Sequence, residues 1–322
     1  KTYRSLCRDV PSQISHVLTP RDLIQVKNAQ RFARKQVSLG HDDVLNMYQM
    51  AFQLEGYCKV IDLFPDLNVI FFSDVLMKEF TDMFESLDGK GGIYLGCDTT
   101  FNLGDFYVTI ITCQHVMFTN SNFTVAGKPA AEPCLPLIFM LHERKFTSTH
   151  ERLWSVINKH VPQIKALNIP VVCDREKAII NAIEKETAVQ LPILACWSHI
   201  KQDIKHWLQK KRAASNDIGV YMQHVTDLLQ CESEEEYEEL LGKYQDIWSS
   251  AFSGYYSKNL HHDIKTYAAR WNLQKYGIGN ANGITNNMAE SMNKLIKSYV
   301  DYRESTCDAF MAKMKCLQDA LL

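Results

Sequence analysis

The chain has 322 residues, of which 46% are hydrophobic and 22% charged, with a formal net charge of −2. A chain this apolar and this nearly neutral buries enough surface to offset its backbone entropy, which excludes wholesale disorder. Its longest uncharged apolar stretches, such as Leu135–Leu141, fall far short of the roughly 20 residues a membrane helix needs, so a soluble protein with no membrane partner is expected. The ten cysteines are scattered singly with no Cys-x-x-Cys pair, the pattern of a reducing compartment. The chain opens at Lys1 without Met or a charged-then-apolar leader, and is read as an internal segment of a longer protein. With a net charge near zero, a nucleic-acid partner would have to be attracted by a local patch.

Residues 1–88 read as a helical N-terminal domain. Thr19-Pro20 is a helix start followed by a charged amphipathic run over Asp22–Val37, and Asp42–Glu55 keeps Val44, Leu45, Tyr48, Ala51 and Phe52 at helical spacing. Val69–Phe72 has the texture of a short strand, and the turn cluster Asp88–Gly92 marks a boundary. From 89 to 199 the pattern is α/β: strands over Ile93–Cys97, Phe106–Cys113 and Leu135–Leu141, a helix over Ser148–His160, a buried strand over Ile169–Cys173, a helix over Arg175–Glu186 and a strand over Leu191–Cys196. Three strands followed by alternating helix and strand predict a mixed sheet. Between 200 and 276 the strand signal vanishes, which predicts an all-helical insertion leaning on the sheet through Trp207, Leu228, Leu229, Trp248 and Phe252. Its acidic run at Glu232–Glu239 reads as a solvated helix face. Residues 277–322 are a glycine-rich loop and two helices, Asn287–Tyr299 and Cys307–Leu321.

Asp98 and Asp174 each stand at the carboxyl end of an expected strand, where α/β sheets gather their ligand sites. If the strands are neighbours the carboxylates converge and suit a hard divalent cation, whereas each alone could simply cap the next element. Glu290 is a third acid. It follows Asn287 at capping-box spacing, and it lies with Lys294 and Lys297 opposite an expected apolar stripe of Met288, Met292, Leu295, Ile296 and Tyr299. Cys196-Trp197-Ser198-His199 has half of a zinc-site spacing, with His261-His262 as the only other cluster. The lysines and arginine after it, Lys201, Lys205, Lys210, Lys211 and Arg212, suit either phosphate contacts beside Trp207 or a solvated helix.

In this order, Cys97-Asp98-Thr99-Thr100, the segment Val172–Ile183 around Asp174, Cys196–His199 and Thr285–Lys297 around Glu290 resemble the catalytic core of Mutator-like (MULE-type) DDE transposases, from about Ile93 to Tyr299. The resemblance implies a ribonuclease H-like fold with an all-helical insertion between the second aspartate and the glutamate. Asp98, Asp174 and Glu290 would be the metal-binding acids, and Cys196 and His199 a supporting motif beside them. Trp271 is also family-like. It further implies two Mg²⁺ or Mn²⁺ ions, DNA as partner (terminal inverted repeats and target), DNA contacts by Lys201, Lys205, Lys210, Lys211, Arg212, Lys294 and Lys297, a homodimer as one assembly, and a nuclear location. No zinc-binding recognition module precedes this core. The rival readings are a domesticated transposase acting as a DNA-binding or transcription-regulating scaffold, and a ribonuclease H-like exonuclease, which usually has Glu two residues after the first Asp where this chain has Thr100.

Overall fold

A computed structural model describes residues 24–25, 40, 42–87, 92–116, 124–125, 128–129, 133–165, 168–185, 191–278 and 283–321. Most of the helix expected over Asp22–Val37 lies outside them, as do the residues 88–91 and 279–282. The chain divides into two compact units, Lys1–Gln53 and Leu54–Leu322. In the first, helix α1 (Asp43–Gln53) starts where the Asp42 carboxylate accepts the amides of Val44 and Leu45, both at 3.0 Å.

The second unit begins well before the boundary expected at 88. Strands β1 (Cys58–Asp62) and β2 (Asn68–Phe71) pair antiparallel and join the main sheet, because Asn68–Phe71 is buried throughout and only a sheet interior covers both faces of such a run. Helix α2 (Asp74–Ser86), capped by the Ser73 hydroxyl on the Leu76 amide, then lays Leu76, Met77, Phe80 and Met83 on one face of that sheet.

Strands β3 (Leu95–Thr100), β4 (Tyr107–Gln114) and β7 (Cys134–His142) form an antiparallel meander, interrupted by a separate two-stranded ribbon of β5 (Thr124–Val125) and β6 (Lys128–Pro129). Helix α3 (Thr147–His160) leads to β8 (Val171–Cys173), and α4 (Lys177–Lys185) to β9 (Ile193–Ala195). Both of those strands are parallel to β3, in the sheet order β1-β2-β7-β4-β3-β8-β9. The protein is thus a mixed α/β structure on a seven-stranded mixed sheet. Buried side chains of α2, α3 and α4 pack with Leu95, Cys97, Ile111 and Val171 in one apolar cluster.

The insertion is helical, and it starts three residues earlier than expected, with α5 (Trp197–Lys210) springing directly from β9. Then come α6 (Ser215–Gln230), α7 (Glu234–Gln245), α8 (Ser250–Asn259), the short α9 (His261–Asp263), a π-helical turn Ile264–Ala268 and α10 (Arg270–Gln274). Leu228, Leu229, Trp248 and Phe252 are buried and Trp207 stacks on Tyr255 at 4.5 Å. These side chains belong to the core that the insertion shares with Leu194 and Ala195 of β9. Ser233 caps α7, whose first turn carries Glu234, Glu235 and Glu236 at the positive end of the helix dipole. Part of the acidic run is paired: Lys265 reaches Glu234 and Glu238 at 2.8 Å, and Arg270 reaches Glu232 at 3.0 Å.

Helices α11 (Asn287–Tyr299) and α12 (Cys307–Asp319) close the chain. The buried face of α11 is Met288, Ala289, Met292, Asn293 and Ile296, packed over β3, β4 and β7. Leu295 and Tyr299, expected in that stripe, are exposed: the helix rests on the ridge of residues 288, 292 and 296, and 295 and 299 stand one ridge away.

Candidate active site

The last registered pair of β3 and β8 is Cys97 with Cys173. Asp98, within β3, and Asp174, the first residue past β8, therefore follow at equivalent positions along adjacent parallel strands, the strands lying roughly 4.8 Å apart. Asp98 is half-buried within β3. Its Oδ1 accepts the Thr99 amide at 3.0 Å and its Oδ2 accepts the Asn293 side-chain amide at 2.6 Å. Burial pushes the Asp98 carboxyl up to about 6, and the nearby Asp174 charge adds to the rise. His199 and the Thr99 amide act in the opposite direction, and Glu290 raises it further. The Asp174 carboxylate accepts the Glu176 amide at 3.2 Å, a local turn bond made ahead of α4, which starts only at Lys177.

Glu290 is not spent on the helix cap its spacing allows. The cap residue is Asn286, which makes no side-chain capping bond, and Glu290 Oε1 instead lies 3.8 Å from His199 Nε2. His199 is held up to about 9, first by the Cys196 sulfur beside it, against the effect of burial, and then by the charges of Asp174 and Asp98. Burial alone would raise the Cys196 thiol, but His199 and the Asn286 amide outweigh it and hold the thiol below its ordinary value. Asp174, Glu290 and His199 thus all act on the Asp98 carboxyl at the rim formed by the carboxyl ends of β3 and β8, and Glu290 lies against His199.

The side chains that hold this arrangement lie in or beside the sequence motifs, but the sequence reading gave them no role. Trp197 donates its amide to the Ile284 carbonyl at 3.0 Å and its indole N–H to the Ala268 carbonyl at 2.7 Å. Gly283, at φ +72°, lies flat against the Trp197 ring, where a Cβ would come within 2.1 Å of ring carbons. Asn286 donates its backbone amide to Cys196 Sγ at 3.2 Å and its side-chain amide to the Cys97 carbonyl at 2.9 Å. Gly96 admits this close approach, since a Cβ there would stand 2.9 Å from Asn286 Oδ1. Arg175 ties the β8 end to the insertion by bonding Asp263 at 2.8 Å, Asp203 at 2.9 Å and the Asn259 carbonyl. Asn293 is a polar residue on the buried face of α11, seven positions after Asn286.

The expected cationic residues divide. Lys205, Lys210, Lys211, Arg212 and Lys294 are exposed. Lys201 is half-buried over the Trp197 ring at 5.6 Å, and burial lowers its pKa. Lys297 sits 5.6 Å over the ring of Phe101, a residue the sequence reading passed over. As for metals, among the described residues no group of three or more His, Cys, Asp and Glu side chains closes around a point that could hold an ion. The chemistry of the donor set at Asp98 and Asp174 nevertheless fits a hard divalent cation: two neighbouring carboxylates, one pushed toward its neutral form by burial and then by the other's charge, gain from a positive charge between them. His261 is committed elsewhere, its Nδ1 lying 2.9 Å from the Tyr237 hydroxyl. Compared with known protein families and with curated proteins, the chain matches none. Among the described residues no helix is long and apolar enough to cross a membrane.

Proposed function

We propose that this chain is the catalytic core of a DNA transposase of the Mutator-like kind, with a ribonuclease H-like fold, acting on DNA phosphodiesters. The observation that carries the reading is the placement of Asp98 and Asp174 at equivalent positions along adjacent parallel strands, with Glu290 brought to the same rim by a helix that starts beyond the insertion. The sheet order supports it too: a three-strand antiparallel meander extended by two strands parallel to its first is the arrangement a ribonuclease H-like core uses to set two acids side by side.

Asp98, Asp174 and Glu290 would hold two Mg²⁺ or Mn²⁺ ions, which when bound activate a water or a DNA 3′-hydroxyl and stabilise the leaving oxygen. The chain's own residues do the rest. Asn293 fixes the rotamer of Asp98, His199 as a cation orients Glu290, and Asn286 ties the first turn of α11 to β3 and to Cys196. Lys294 and Lys297 on α11 and Lys201 and Lys205 on α5 offer cations to the flanking phosphates. DNA as partner and the nucleus as location follow from this reading.

A domesticated, non-cleaving scaffold is the second reading, and one observation favours it: the three acids do not close into a metal-holding group. Incubating the protein with supercoiled plasmid separates the two. The transposase reading expects nicked circles with Mn²⁺ or Mg²⁺ and none with EDTA, and it fails if DNA is bound but no strand is cut under either metal.

A further inference from the structure

Beside the acid rim, the turn after β3 opens a cavity of about 550 Å³ whose walls include Phe101, Asn102, Asp105, Tyr107 and Lys145. Phe101 is 54% exposed, and its ring face carries Lys297 at 5.6 Å; Tyr107 carries Lys145 at 5.2 Å. Lys145, also paired with Glu176 at 3.4 Å, lines the cleft, and Lys297 stands over Phe101 at its margin. These rings and cations match a planar ring attached to a phosphate, because stacking takes the ring and the cations take the charge.

The turn is built to keep Phe101 outward. Asn102 follows it at φ +65°, a left-handed conformation costly for a side-chain-bearing residue, and the Leu103 carbonyl accepts the Ser305 amide at 2.7 Å. The Ser305 side of that bond is itself held after Asp301 and Tyr302, at φ +58° and +53°. Left-handed residues thus shape both turns that this hydrogen bond joins.

The distance to the acids fits a flanking nucleotide. Phe101 is the first residue past β3, three residues beyond Asp98 and roughly 10 Å along the chain. Lys297 lies seven residues beyond Glu290 on α11, two helical turns and again roughly 10 Å along the same side. Strand and helix therefore deliver an aromatic ring and a lysine to one place, both displaced from the acids by a similar step.

We infer that this cleft takes one unpaired nucleobase of the DNA strand next to the cut phosphodiester, stacked on Phe101. Its phosphate lies against Lys297 and Lys145, and its edge is presented to the Asn102 amide and the Asp105 carboxylate. The inference rests on the reading of the acid rim as a DNA-cutting site, but it needs no cutting to be tested. An amide and a carboxylate on one edge favour a base with an exocyclic amine, since the carboxylate only accepts.

The test uses a short single-stranded oligonucleotide carrying one 2-aminopurine, titrated with the protein in EDTA while fluorescence and affinity are followed together. The wild type is expected to quench the probe. Phe101→Ala should abolish the quench and weaken binding by roughly ten-fold, whereas Phe101→Trp should retain both. Lys297→Gln should keep the quench and lower the slope of log affinity against log salt by about one. Because Phe101 is exposed, neither change should move the melting temperature. An unchanged quench and affinity in Phe101→Ala, or no quench by the wild type, would overturn the inference. Plasmid nicking by the same wild-type protein reports on the acid rim separately, so loss of one reading is told apart from loss of the other.

Discussion

Asn293 and Asp98 show how one side chain sets the character of the site. The amide gives Asp98 a fixed rotamer while the Asp174 charge and burial push its carboxyl up to about 6, so at neutral pH the fold carries a charge it would hold more easily as a neutral group. Asp98→Asn keeps a bond to Asn293 and removes the repulsion. In EDTA at neutral pH its thermal unfolding is expected at or above the wild-type temperature, by an amount on the order of 1–2 kcal/mol. A clear drop in stability would mean that the charge of Asp98 is already compensated. Arg175 is the opposite case. Its guanidinium faces the buried Asp263, so Arg175→Ala should cost about 3–5 kcal/mol in denaturant unfolding by leaving that charge alone.

Among the elements, the α3–β7 contact holds two histidines in the core. His142 Nδ1 lies 2.8 Å from the Arg144 carbonyl and its Nε2 2.8 Å from the Thr109 hydroxyl, and the edge of His150, buried with both ring nitrogens unbonded, packs against it. Burial lowers His142 to about 4 and His150 to about 3. Above the ordinary histidine value of about 6.5 both rings are neutral in the folded and unfolded chain alike, so the shift costs nothing. Below it the unfolded rings take up protons that the folded ones refuse, and stability should fall steadily from pH 6.5 toward pH 4 and below. His150→Phe should flatten that fall in urea midpoints measured across the range, and an identical slope in the variant would refute the assignment. The loop before α11 is as exacting: Gly283→Ala places a Cβ into the Trp197 ring at a positive φ and should cost at least about 1–3 kcal/mol while displacing the helix that carries Glu290.

At the scale of the molecule, the sheet between Ile93 and Cys196 was legible because its strands are short apolar runs divided by turn and helix signals, and the helical insertion because strand texture stops after Cys196. The early strands were harder. Cys58–Asp62 mixes Lys, Asp and Val on a half-buried edge, so only its pairing with Asn68–Phe71 marks it as part of the sheet. The acids themselves could be named from their strand-end and motif positions, but Asn286, Asn293, Gly283 and Trp197 act through contacts that join residues some 71 to 195 positions apart, which no local pattern specifies. On the proposed reading of the chain as a DNA-acting protein, affinity for DNA should fall steeply with salt, and charge reversal at Lys205, Lys210, Lys211 or Lys297 should weaken it. Binding that is flat between low and moderate salt would take these residues out of the DNA path.

The most direct measurement is the rate of plasmid nicking in Mn²⁺ by Asp98→Asn, Asp174→Asn and Glu290→Gln, each compared with the wild type after its folding has been verified by circular dichroism. The account predicts that the wild type cuts and that each single substitution loses cutting by roughly a thousand-fold or more while DNA binding is kept, since each would remove one ligand of the ion site proposed for the three acids. A variant that cuts like the wild type at any of the three positions would contradict it.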